Sequence, residues 1–124
     1  MIRPPPPGPH IPSLHPATRD APPIRYSLLV FPGFPLMAFA AVMEPLRAAN
    51  LLTDRRLYDW NVVANDPLPL CASNGLRITP DFAAADAPDA DRIVVCSGGD
   101  ADHLTAERAL TWIRRRLRAG AALG

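Results

Sequence analysis

Residues 24–50, IRYSLLVFPGFPLMAFAAVMEPLRAAN, decide how the rest of the chain is read. Tyr26 to Phe31 form a short, nearly continuous apolar run, the mark of a strand buried on both faces, and Pro32-Gly33 ends it in a turn. Pro35 suits the first position of a helix. Leu36, Phe39, Met43 and Leu46 then recur at helical spacing, and Asn50 is the expected cap. Strand, glycine turn and helix are the opening of an α/β unit.

The helix has two unusual features. From Leu36 to Leu52 its only polar residues are Glu44, Arg47 and Asn50, so it is apolar nearly all round and needs cover on both sides. Leu36, Phe39, Met43 and Leu46 make one face; Met37, Ala41, Glu44 and Ala48 make the other, for which a subunit partner is the natural cover. Pro45 removes a backbone donor in mid-helix and predicts a kink at 41–45. Glu44 then has two readings: a site carboxylate at the kink, or a partner for Arg47 three residues on.

Working towards the C-terminus, Tyr58 to Ala64 (YDWNVVA) reads as a second strand. Ser73-Asn74-Gly75 between the apolar runs 68–72 and 76–79 predicts a β-hairpin, and 81–91 reads as an acidic, alanine-rich loop. Ile93 to Cys96 is another buried strand, stopped by Ser97-Gly98-Gly99. A helix follows with Thr105 as N-cap, an apolar stripe of Ala109, Leu110, Ile113 and Leu117, and Gly120 in the position of a C′ glycine. Its arginines at 114, 115, 116 and 118 read mostly as a solvated opposite side. The final Ala121-Ala122-Leu123-Gly124 is the start of a next strand, so only the first part of a doubly wound domain is expected.

Working towards the N-terminus, nine of the 16 prolines fall in residues 1–23, which carry almost no charge and only isolated apolar residues. They read as a disordered tail, leaving 24–124 as the folding unit. The Pro4–Pro7 run could serve as a polyproline II ligand; the plainer reading is a solvated extension, and no function is assigned to it. The N-terminus lacks the apolar stretch of a secretory signal and no run of 18 apolar residues exists, which points to a cytoplasmic protein without a membrane partner. All 13 basic residues are arginine, and they balance the acidic ones so closely that the folding unit makes a poor DNA binder by charge.

Ligands of open α/β sheets bind beyond the carboxyl ends of the strands, which singles out Pro32-Gly33-Phe34 and Ser97-Gly98-Gly99. Gly98 and Gly99 could let backbone N–H groups converge on an anion or oxyanion, or could simply permit a tight turn. Cys96 is a conceivable nucleophile or a buried inert thiol, with His103 the only histidine of the folding unit and seven residues away. Cys71 and Cys96 both read as free thiols. His10, His15, His103, Cys71 and Cys96 have no metal-ligand spacing, and no cofactor is expected.

The strings LLVFPGFPLMAFAAVMEPLRAANLL, LYDWNVVA, SNGLRITPD, IVVCSGGD and LTWIRRRLRAGAALG together carry a resemblance that runs over about residues 25–124. The chain resembles the N-terminal half of the PfpI-type, class I glutamine amidotransferase-like domain found at the front of GlxA-type, AraC-family transcriptional regulators. The most specific parts are PGF followed by MEPLRAAN, and SNGLRITPD. The resemblance implies an α/β three-layer sandwich, flavodoxin-like or Rossmann-like and incomplete here, with a mainly parallel sheet plus the β-hairpin. It also implies a domain that senses a small-molecule metabolite of amine or amino-acid catabolism, choline- and carnitine-type pathways included, and that forms a homodimer. DNA would be bound only by a separate C-terminal helix-turn-helix domain.

Enzymes that share this fold carry an acidic residue five positions after the glycine of the first turn; here that position is Ala38, and the cysteine elbow they use would follow Gly124. Gly98 and Gly99 match the oxyanion-side glycines of the superfamily. The expectation is therefore a non-enzymatic sensing and dimerisation fragment whose ligand-binding candidates are Gly33, Phe34, Glu44, Gly98 and Gly99. The alternative is a fragment of a PfpI-like hydrolase or amidotransferase-like enzyme, and a free-standing interaction module led by the proline tail comes third.

Overall fold

The computed structural model describes residues 21–99 and 106–124. Residues 1–20 of the expected tail at 1–23, Thr105 as helix cap and His103 lie outside the described residues. Along the chain run β1 (Ile24–Val30), α1 (Leu36–Thr53), β2 (Tyr58–Ala64), β3 (Leu70–Cys71), β4 (Arg77–Ile78), β5 (Phe82–Ala83), a 3-10 turn (Ala84–Asp86), β6 (Arg92–Cys96), α2 (Glu107–Arg118) and β7 (Ala122–Leu123). Five strands form one parallel sheet in the order β5-β2-β1-β6-β7, while β3 and β4 pair antiparallel as the expected hairpin.

β1 is the central strand, and its sequence shows it: Leu28, Leu29 and Val30 are wholly buried, each contributing about 1.5–3 kcal/mol relative to exposure. Alternation along the strands divides the core between two layers. Leu29, Phe31, Val63 and Ile93 pack with Ala109 and Trp112 of α2. Val30, Ala64 and Cys96 pack with Phe34 and, beside it, Leu36 and Phe39 of α1. The two helices therefore cover opposite faces of the sheet, which is the three-layer α/β arrangement read from the sequence. No helix of the described residues is long and apolar enough to cross a membrane.

α1 runs through Pro45 as one helix. It starts one residue later than expected, Pro35 being extended and offering its carbonyl to Phe39 N–H at 3.2 Å. Leu46 is buried and Phe39 and Met43 half-buried on the expected inner face, whereas Ala41 and Glu44 are exposed and Met37 is 84% exposed on the other. Asn50 does not cap the helix. Asp54 does the stopping in the left-handed region (φ 50), with its N–H on Leu51 O and that of Arg55 on Asn50 O. The Asn50 side chain instead clasps β2: Oδ1 accepts the N–H groups of Leu57 and Tyr58 at 2.9 and 3.0 Å, and Nδ2 donates to Tyr58 O.

Two further expectations are corrected. The segment 81–91 is not all loop: Phe82 and Ala83 add to the edge of β2, and Asp81 sets their register by accepting Val62 N–H on its carboxylate at 2.7 Å while donating its own N–H to Val62 O. The inward stripe of α2 is also rotated. Ala109 and Trp112 are buried while Leu110 and Leu117 are exposed. Arg116 is not solvated either, because its side chain lies under cover and pairs with Asp89. Gly120 takes the expected role with φ 98, its N–H reaching Leu117 O and that of Ala121 reaching Arg116 O, both at 3.0 Å.

Candidate functional site

In the strand order, β1 connects through α1 to β2 on one side, and the chain then crosses to β6 on the other. The order reverses between β1 and β6, and the crevice at the carboxyl ends of these two strands is where open α/β sheets place ligands. Val30 and Cys96 end the two strands as register partners, and Phe31 N–H donates to Cys96 O at 3.2 Å. Both glycine loops thus leave the sheet side by side.

The first loop turns at Gly33 in the left-handed region (φ 82) and is pinned to the hairpin: Gly33 N–H donates to Cys71 O at 2.8 Å, and Phe34 O accepts Ser73 N–H at 2.9 Å. The SNG turn and the PGF turn are therefore one structural unit. Gly98 packs flat on the Gly33 carbonyl, whose oxygen a Cβ at position 98 would overlap. By contrast, among the described residues nothing lies within 4 Å of where a Cβ would stand on Gly99, which is exposed.

Of the five candidate residues, Gly33, Phe34 and Gly98 are joined by these contacts, with Gly99 adjoining them. Phe34 is wholly buried, its ring packed against Phe39 with centroids 5.5 Å apart, so it belongs to the apolar core under the loops and not to an exposed surface. Glu44 stands apart on the exposed side of α1, where its Oε2 accepts from Arg47 Nη2 at 2.6 Å and Nε at 2.9 Å. That hydrogen bond holds its carboxyl below the usual carboxylate range. The structure shows the Arg47 pairing that was one of its two readings.

Cys96 lies in the same apolar cluster as Phe34, and burial pushes its thiol pKa up, opposite to what a nucleophile needs. Ala38 offers no proton-transfer group. Among the described residues no group of three or more His, Cys, Asp or Glu is placed to hold a metal. What this end of the sheet offers among the described residues is two glycine loops side by side, next to the buried Phe34.

One residue at this end of the sheet was missed from the sequence. Asn65, directly after β2 and buried, accepts Ala109 N–H at 3.1 Å and so caps α2 from 44 positions away. Asp66 beside it pairs with Arg108 at 2.9 Å. At the opposite end of the sheet a shallow groove of about 310 Å³ is lined by Arg25, Tyr26, Trp60 and Phe82, among others.

No family model matches the chain. It is 35% identical over 115 residues to the HTH-type transcriptional regulator GbdR of Pseudomonas aeruginosa, covering 93% of this chain and 31% of GbdR. To the HTH-type transcriptional regulator GlxA of Rhizobium meliloti it is 33% identical over 101 residues, 81% of this chain and 31% of GlxA. An AraC family transcriptional regulator from Pseudomonas putida superposes with a TM-score of 0.72 at 24% identity, over 82% of this chain and 55% of that one. A ThiJ/PfpI family protein from Pseudomonas syringae does so with 0.60 at 23% identity, over 90% and 46%.

The chain is similar to HTH-type transcriptional regulators over most of its own length, and its fold is that of the AraC-family and ThiJ/PfpI structures.

It spans about a third of the length of the curated relatives it matches. The flavodoxin-like α/β fold expected from the sequence is the fold of the structural neighbours. The elements at the crevice are also those that carried the resemblance, since PGF and SNG meet at the Gly33–Cys71 and Phe34–Ser73 hydrogen bonds.

Proposed function

We propose that this chain is the ligand-sensing and dimerisation part of a transcriptional regulator of amine or amino-acid catabolism, with DNA bound by a separate helix-turn-helix domain and the whole working in the cytoplasm. The observation that supports it most is the carboxyl end of β1 and β6: it stands where small molecules bind in this architecture, yet its thiol, Cys96, is desolvated and Ala38 stands where enzymes of this fold carry an acidic residue. The names of the relatives point the same way. Gly98 and Gly99 would supply backbone contacts to the metabolite, with the Gly33 turn and the buried Phe34 holding their loop in place. The exposed face of α1, with Met37 and Ala41, would meet a second copy across a two-fold axis.

The test is a thermal-shift screen of the protein against small amines, quaternary ammonium compounds and amino acids, with recovery of each compound afterwards. The proposal expects a saturable rise in Tm for one class and the compound returned unchanged. Consumption of the compound would point to the enzyme alternative, and no rise with any class counts against sensing.

A further inference from the structure

We infer that Asn74 is a modification site: its side-chain amide is lost through attack by the Gly75 nitrogen, and the isoaspartate so formed releases the hairpin from the PGF loop. Of the four asparagines in the chain, Asn74 alone precedes a glycine; the others are followed by Leu51, Val62 and Asp66. Those three also have their side chains engaged across the fold, Asn50 by the start of β2, Asn61 by the Ser27 hydroxyl and Asn65 by Ala109 N–H. Asn74 stands exposed at the hairpin tip. Among the described residues nothing lies within 4 Å of where a Cβ on Gly75 would stand, so the attacking nitrogen has no crowding beside it.

Two hydrogen bonds of the turn act on the reacting groups in opposite senses. Leu76 N–H donates to Asn74 Oδ1 at 3.0 Å, on the oxygen where negative charge gathers when the side-chain carbonyl is attacked. Gly75 N–H donates to Ala72 O at 2.9 Å, which keeps the proton on the nucleophile. That second bond is the restraint, and it closes a hairpin whose strands are two residues each, a segment that opens locally more readily than the sheet. Once it opens, the Gly75 nitrogen gives its proton to a base in the water and bonds to Asn74 Cγ, while Nδ2 takes up a proton and leaves as ammonia. A succinimide ring remains, and water opens it. Cleavage of the Cγ–N bond gives aspartate; cleavage at the backbone carbonyl gives isoaspartate, whose main chain runs through Cβ and Cγ and is one carbon longer.

The extra carbon falls inside the turn that Ala72 N–H closes on Leu76 O at 2.8 Å, and Ser73 within that turn is tied to Phe34 O at 2.9 Å. A lengthened turn no longer fits between these two fixed points, so the PGF loop loses the Ser73 tie and strain reaches its other one, Gly33 N–H on Cys71 O. The aspartate product keeps the chain length and an acceptor for Leu76 N–H, so the new charge by itself leaves the strap in place. The inference stands independently of any metabolite.

The test is storage of the protein in warm, mildly alkaline buffer beside a synthetic peptide of residues 70–78, followed by peptide mapping against aspartate and isoaspartate standards and by hydrogen exchange. Conversion is expected at Asn74 with Asn50, Asn61 and Asn65 intact, slower than in the peptide by the factor that protects the Gly75 amide from exchange. In the isoaspartate fraction the Ser73 and Gly33 amides should exchange tenfold or more faster than in the unconverted protein, while Asn74→Asp keeps the native rates. Asn74 still unconverted after the time this slowed rate requires overturns the inference, as does isoaspartate that leaves the Ser73 amide as protected as before, or loosening of equal size in Asn74→Asp. Asn74→Ser, which forms no succinimide, should show no loosening on storage; if it loosens as the native protein does, the effect arises elsewhere and the inference fails.

Discussion

Gly98 rests directly on the carbonyl of Gly33, two loops that are 65 positions apart in sequence and meet because Val30 and Cys96 end neighbouring parallel strands in register. The contact leaves no room for a side chain at 98, while none of the described residues crowds 99. Gly98→Ala should therefore cost about 1–3 kcal/mol through overpacking, with the loops forced apart. Gly99→Ala should cost well under 1 kcal/mol. Urea midpoints of the two variants check this contrast; equal destabilisation would mean that the loops do not touch.

Asn65→Ala should remove about 1–2 kcal/mol, because the Ala109 N–H it caps is buried and loses its acceptor. Asp66→Ala removes only an exposed ion pair to Arg108 and should cost about 0–1 kcal/mol. Slowed exchange at Ala109 in the native protein, lost in the Asn65 variant alone, is the residue-level check.

Asp91 accepts Arg25 N–H at 2.9 Å, and this backbone hydrogen bond, with the Arg25 guanidinium beside it, holds its carboxyl below the usual range. A carboxyl whose folded pKa is depressed contributes stability that is present above its unfolded pKa, about 3.9, and lost as pH falls through the folded value. The Tm advantage of the native protein over Asp91→Asn should thus be full at pH 6 and shrink below about pH 4. An advantage that grows on acidification contradicts the assignment. Since the pair is half exposed, the effect should also weaken in salt.

The two thiols should separate in reactivity. Cys71 is exposed beside the hairpin turn, whereas Cys96 is buried and its thiol pKa is raised by that burial. Iodoacetamide at neutral pH should label Cys71 first, with Cys96 reacting only as the protein opens. Selective labelling of Cys96 by mass spectrometry would restore it as a nucleophile.

Much of this fold was legible because local chemistry and tertiary context agree. β2 runs from Tyr58 to Ala64 as read, and Gly120 stops α2 by the left-handed cap its position implied. What escaped has a physical reason in each case. β5 is two residues long and owes its existence to Asp81 holding the edge of β2, so no periodicity announces it. On α2, Leu110 and Trp112 both sit on apolar flanks, and the sheet face of Leu29, Val63 and Ile93 covers Trp112 while Asp89 pairs with Arg116, long-range contacts that no local pattern announces. At the candidate site, the glycines could be placed at strand ends from sequence, but the burial of Phe34 could not, because it depends on the hairpin strapped across it. Asn50 reads as a local cap, yet its side chain binds the start of β2, and Asn65, unremarked in sequence, caps α2 from 44 positions away.

The central claim is that the crevice between β1 and β6 binds a small metabolite without transforming it. The most direct measurement is a titration of the ¹⁵N-labelled protein with the amine or amino acid that raises its Tm most, following backbone amide shifts. The account predicts saturable shifts centred on Gly33, Phe34, Gly98 and Gly99, with the compound intact at the end. Shifts confined to the groove at Arg25, Trp60 and Phe82, or a compound consumed during the titration, would contradict it.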